Sequence, residues 1–152
     1  LRAENCADRL KVLEIRRERL ATADFPGFKS VCLPMPVLRT LVKQAAPSWR
    51  IPLMCVSGVY VIADTTTGKL YVGSASGEGG IWGRWTAYCK TGHGGNKELR
   101  DLLKRKGAGH SDRFQISVLE VCDPNATKEE VLERESHWKT VLQTREFGLN
   151  AN

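Results

Sequence analysis

Glu135 falls in a stripe that is otherwise apolar. Val131, Glu135, Trp138 and Leu142 recur at i, i+4, i+7 and i+11 along one side of a helix, while Glu129, Glu130 and Glu133 can take solvent faces. A carboxylate on a packing face is costly unless it is paired or holds a cation. A single carboxylate that leaves most of an ion's water in place suits Mg²⁺; a salt bridge to an arginine is the alternative. Arg84 raises the converse question. Ile81, Arg84 and Tyr88 share one helix side, flanked by Trp82, Trp85 and Cys89. A guanidinium among so many rings either stacks on one of them or faces an anion.

Two tyrosines complete the set. If Ala63 pairs with Leu70 across a hairpin, Ile62 faces Tyr71 and Tyr60 faces Gly73, and all four lie on one face. A slip of one residue would separate the phenols, so the pairing is itself an expectation. Gly73 leaves open space beside the Tyr60 ring. The result is either a wet polar pocket or a pair of ordinary strand tyrosines.

These residues need elements to hold them. The β-branched run Gly58-Val59-Tyr60-Val61-Ile62-Ala63 reads as a strand, 64–69 as a hairpin loop and Leu70-Tyr71-Val72-Gly73 as the return strand. A glycine-rich loop over 76–80 leads to a helix over 81–90. A Gly92-His93-Gly94-Gly95 break follows, then a basic helix over 96–106 and a third strand over 113–122. Thr127 with Glu130 forms a capping box that opens a final helix running to about residue 145. The order β-β-α-α-β-α predicts an α+β fold: a small, mostly antiparallel three-stranded sheet flanked by helices. Residues 1–50 read as a helical N-terminal extension, with one helix over 5–20 and another over 36–46 that Pro47 ends. Residues 51–152 form the main domain.

The net charge of +6 favours a polyanionic partner. Hydrophobic residues at 41% and charged residues at 26% are ordinary globular composition and exclude a disordered chain. No apolar run is long enough to span a bilayer, and the charge-dense start excludes a signal peptide. Leu1 at the start points to a trimmed chain or a longer parent. The five cysteines are scattered and form no CxxC, which fits reduced thiols in the cytoplasm and no zinc ribbon. Lys97, Arg100 and Lys104 share one face of the basic helix and could track a DNA backbone; a solvated face is the alternative. The run 16–19 is diluted by acidic neighbours.

Gly58-Val59-Tyr60 followed by Tyr71-Val72-Gly73 resembles the two-part signature of the GIY-YIG nuclease family. Gly83-Arg84-Trp85-Thr86-Ala87-Tyr88 resembles the family's arginine-bearing helix, Glu135 its metal-binding glutamate, and Gly148-Leu149-Asn150 its closing segment. The resemblance covers residues 56–152. It implies a metal-dependent DNA endonuclease with Tyr60 as general base or water-positioning group and Tyr71 steadying the nucleophile. Arg84 would clamp the scissile phosphate, Glu135 bind Mg²⁺ or Mn²⁺, and Asn150 support the site or the DNA backbone. A non-catalytic DNA-binding module and a structure-selective repair or recombination nuclease are the alternatives to a restriction or defence enzyme. The segment after the arginine helix has one residue more than expected between His93 and Asn96, and Tyr88 stands where some relatives have histidine. His93 is a proton shuttle, a DNA contact or a loop residue without a role. Cutting both strands with one site per chain needs a homodimer or two sequential nicks.

Overall fold

The computed structural model describes residues 23–151. The helix expected over 5–20, the basic run 16–19 and Cys6 lie outside the described residues. Strands β2 (Gly58–Asp64) and β3 (Leu70–Ala75) pair antiparallel with Ala63 opposite Leu70, Ile62 opposite Tyr71 and Tyr60 opposite Gly73, the register that the sequence predicts. The turn between them closes on Asp64. Its buried carboxylate accepts from the Thr66 backbone N–H at 2.9 Å and hydroxyl at 2.6 Å.

β4 (Phe114–Val121) pairs with the other side of β2. The expectation of three strands is corrected here. Cys32–Pro34 forms a further strand, β1, with Cys32 opposite Ser117, so the sheet has four antiparallel strands in the order β1-β4-β2-β3. Three residues are too few to show alternation, and Pro34 is tolerated because this strand lies at the sheet's edge. Between β2 and β4 the register shifts: Val59 faces Glu120 but Tyr60 faces Val118. That bulge increases the local twist beside Tyr60.

The helices are α1 (Met35–Gln44), α2 (Pro47–Met54), α3 (Gly80–Thr91), α4 (Lys97–Lys106) and α5 (Lys128–Val141). Pro47 does not close the helix before it. That helix ends at Gln44 on left-handed Ala45, and Pro47 opens α2 at a first-turn position where it loses no hydrogen bond. Asn96 caps α4 by accepting from the Leu99 N–H at 2.9 Å, and the Thr127–Glu130 capping box opens α5. α5 stops at Val141, short of the expected 145, and Gln143 adopts a positive φ of 52°.

Leu38, Leu41, Trp49 and Leu53 share one buried cluster with Tyr60, Ile62, Ile81, Trp85, Phe114 and Ile116, so residues 31–53 pack into the same core as the hairpin. Side chains alternate along the strands, which puts Tyr60, Ile62, Tyr71 and Gly73 on the face toward α3. Val59, Val72 and Ser74 take the opposite face, toward α5. No helix among the described residues is long and apolar enough to cross a membrane.

Candidate active site

A cleft of about 650 Å³ opens where β3 runs out. Its walls include Tyr60, Tyr71, Ser74, Arg84, Lys128 and Glu135. The hairpin supplies the phenols, α3 the guanidinium and α5 the carboxylate, so three elements meet around one space. Among the residues expected from sequence, Tyr60, Tyr71, Arg84 and Glu135 line this cleft; His93, Asn150, Lys97, Arg100 and Lys104 do not.

At the floor, Tyr60 is fully buried, its ring edge-on to Trp85 and Tyr88. The Tyr60 and Tyr88 hydroxyls share a hydrogen bond of 2.9 Å. Arg84 lies across both: Nε donates to the Tyr60 oxygen at 3.2 Å, and the guanidinium carbon stands 5.1 Å from the Tyr88 ring centroid. Arg84 thus stacks on a ring and lines the open cleft at once, which unites the two alternatives left by its sequence position. Burial, and then neighbouring Tyr71, push the Tyr60 phenol above its ordinary value; Arg84 pulls the other way and is outweighed. Tyr88 is raised likewise, by burial first and then by Tyr60 and Tyr71. Burial works against the charge on Arg84, but Tyr60 and Tyr88 more than offset it and favour the cation.

Glu135 has both oxygens engaged. Oε2 accepts from the Ser74 hydroxyl, and Oε1 lies 2.6 Å from the Lys139 ammonium one turn on. Its pairing is therefore to a lysine, not an arginine. Among the described residues no three His, Cys, Asp or Glu side chains gather as a metal cluster. Glu135 and Glu78 both line the open cleft, and so few oxygen donors suit a hard cation that keeps several waters; the donor set therefore fits a hydrated Mg²⁺ or Mn²⁺.

The remaining expected residues sit elsewhere. Asn150 is buried, and its side chain both accepts from the Val72 N–H at 2.8 Å and donates to the Val72 carbonyl at 2.9 Å, holding the chain's last segment to β3. His93 accepts from the Gly95 N–H at 2.9 Å, while burial and then Arg100 and Lys104 hold its imidazole below the usual value. It therefore belongs with the basic helix. Lys97, Arg100 and Lys104 are exposed opposite buried Leu99, Leu102 and Leu103.

A family model described as the GIY-YIG catalytic domain matches residues 56–150. The chain belongs to the GIY-YIG family. Among solved structures, a mutant of the catalytic domain of the intron endonuclease I-TevI is 28% identical, covering 64% of this chain and 94% of that one with a TM-score of 0.49. A second structure, of the catalytic domain of the homing endonuclease I-TevI, is 30% identical, covering 63% and 98% with a TM-score of 0.47. Comparison with curated proteins gave no match.

The glycines of the GIY-YIG signature act here as spacers. A Cβ on Gly58 would lie 2.4 Å from the Glu120 carbonyl, so only glycine lets β2 start against the bulged strand. A Cβ on Gly73 would lie 2.6 Å from the Tyr60 hydroxyl oxygen and 2.7 Å from the carbon bearing it. Tyr60 cannot retreat, because Trp85 and Tyr88 close the other side. Gly73→Ala is therefore expected to cost about 2–3 kcal/mol and lower Tm by roughly 5–10 °C; an unchanged melting curve would refute the tight contact. Sequence reasoning passed over Ser74 and Lys139. Lys139 had a signal, its i+4 spacing from Glu135, whereas the Ser74 contact spans β3 and α5 and has no local signature.

Proposed function

We infer that this protein is a divalent-metal-dependent endonuclease that hydrolyses DNA phosphodiester bonds. The observation that carries the reading is the convergence of Tyr60, Arg84 and Glu135 on one cleft beside a GIY-YIG signature. Arg84 binds the scissile phosphate and offsets the charge that builds on its oxygens. Tyr60 orients the attacking water and takes its proton; Tyr71 borders the same space, and Tyr88 and Arg84 hold the Tyr60 oxygen in place. Glu135 would hold the Mg²⁺ or Mn²⁺, which when bound supplies Lewis-acid stabilisation of the transition state. Lys97, Arg100 and Lys104 contact flanking phosphates, and His93 lies beside them. Asn150 supports the site by fixing β3. A restriction or defence role is the biological reading we favour, with double-strand cutting by two protomers or by sequential nicks. The nuclease domain is proposed over 51–152, with the N-terminal extension over 1–50 packing its residues 31–50 into that domain's core and adding β1 to its sheet.

The test is cleavage of duplex, branched, single-stranded and modified-base DNA with Mg²⁺, Mn²⁺ or EDTA. Cutting of at least one substrate, lost with EDTA, is expected; metal-independent binding without any cut would leave a DNA-binding module instead. The raised Tyr60 pKa adds a sign. Only the ionised phenol can accept a proton, and below its pKa that fraction grows about tenfold per pH unit. Cleavage should therefore rise by about that factor per unit between roughly pH 7 and 9. Tyr60→Phe should be slow and flat over the range, and an identical slope in the variant would remove Tyr60 from the role of base.

A further inference from the structure

Lys139 carries a charge yet is only 7% exposed, and no role assigned above uses it. Its Nζ sits 2.6 Å from Glu135 Oε1 on the same helix, while Ser74 reaches the other carboxylate oxygen from β3. Glu135 and Ser74 line the cleft, and Lys139 does not. The ammonium stands behind the carboxylate and can act only through it. The cleft wall carries Arg84 and Lys128 against Glu78 and Glu135, so the Lys139 ammonium behind Glu135 tips the balance of charge that an arriving cation meets toward positive.

Taking Glu135 as the ligand inferred above, we propose that Lys139 is a resident counter-cation that weakens divalent-ion binding to the free protein and makes loading depend on a bound phosphate backbone. Lys139 neutralises the carboxylate before any ion arrives, in a setting where water screens poorly. A divalent ion at Glu135 must share that carboxylate with an ammonium of like sign. Holding one rotamer of Glu135 helps binding, but fixing a side chain is worth less than a like charge across a single carboxylate. The phosphates of a bound strand reverse the balance by supplying the missing negative charge. The coupling is reciprocal: the ion tightens the strand by the factor by which the strand tightens the ion.

The experiment measures Mn²⁺ binding to the whole chain without DNA, by loss of the free Mn²⁺ resonance signal. Lys139→Met is expected to bind about tenfold tighter than the native protein, equivalent to about 1.4 kcal/mol. Lys139→Arg should match the native protein, and Glu135→Gln should lose binding. Lys139→Gln, which keeps a donor to Oε1 without the charge, carries the same expectation as Met should Met not fold. In an Arg84→Ala background, a short duplex should tighten Mn²⁺ binding strongly when Lys139 is present and much less when Met replaces it. Equal tightening in both would overturn conditional loading. Unchanged or weaker binding by Lys139→Met and Lys139→Gln, with Glu135→Gln still losing the ion, would overturn the counter-cation while leaving the metal ligand intact. Native-like binding by Glu135→Gln would overturn the ligand assignment itself and this proposal with it.

Discussion

Arg84→Ala is expected to lower the cleavage rate about 10³-fold while leaving the fold in place. The two halves of that expectation rest on different contacts. The guanidinium lines the cleft, so its loss removes the cation that meets charge developing on the phosphate. Removing one preorganised donor from such a site typically costs between about 10² and 10³ in rate, and a full charge belongs at the upper end. The fold survives because neither phenol is orphaned: Tyr60 and Tyr88 still bond each other at 2.9 Å. What is lost is a cation–π contact and two long hydrogen bonds, to the Tyr60 oxygen at 3.2 Å and the Tyr88 oxygen at 3.5 Å, worth about 2 kcal/mol together. Arg84→Lys should recover less than about tenfold, because an ammonium cannot reproduce a planar fork lying over a ring and toward a phosphate. Single-turnover rates beside thermal melts decide the matter. A variant that cuts at the native rate, or that unfolds at room temperature, would contradict it.

Glu135→Gln should be inactive for chemistry and weakened in stability, and the two defects should separate. The amide still accepts from Ser74 but no longer compensates Lys139, so a buried ammonium is left unpaired at a cost of about 3 kcal/mol. Loss of the ion costs about 10³-fold or more in rate, several kcal/mol of transition-state stabilisation. Adding Lys139→Met to Glu135→Gln removes the unpaired charge. The double variant should regain most of the lost stability and none of the activity. Recovery of cleavage in the double variant would show that Glu135 serves only to neutralise Lys139.

Much of this site was legible before any coordinates. The register Ala63 to Leu70 followed from alternation, and it placed Tyr60 beside Gly73. Glu135 announced itself by interrupting an apolar stripe. The Thr127–Glu130 box marked where α5 begins. The failures share a cause: they depend on contacts between segments distant in sequence. Cys32–Pro34 becomes a strand only because Ser117 and its neighbours offer a partner. Ser74 meets Glu135 across 61 residues of chain. The net shift of the Tyr60 phenol could not be read from the sequence for the same reason. Opposite charge alone predicts an easier ionisation, but the depth of burial, set by Trp85 and Tyr88, decides the balance the other way.

The carboxamide of Asn150 has a consequence for assembly. β3 is the outermost strand on its side of the sheet, and its free backbone groups would otherwise invite another chain to add alongside. Asn150 satisfies both groups of Val72, and the Leu149 N–H takes the Leu70 carbonyl at 2.8 Å. The molecule thereby blunts its own border with a two-residue imitation of a neighbouring strand. While this segment stays seated, no second chain can pair with β3 at Leu70 and Val72, so this border of the sheet is closed to growth by strand addition there.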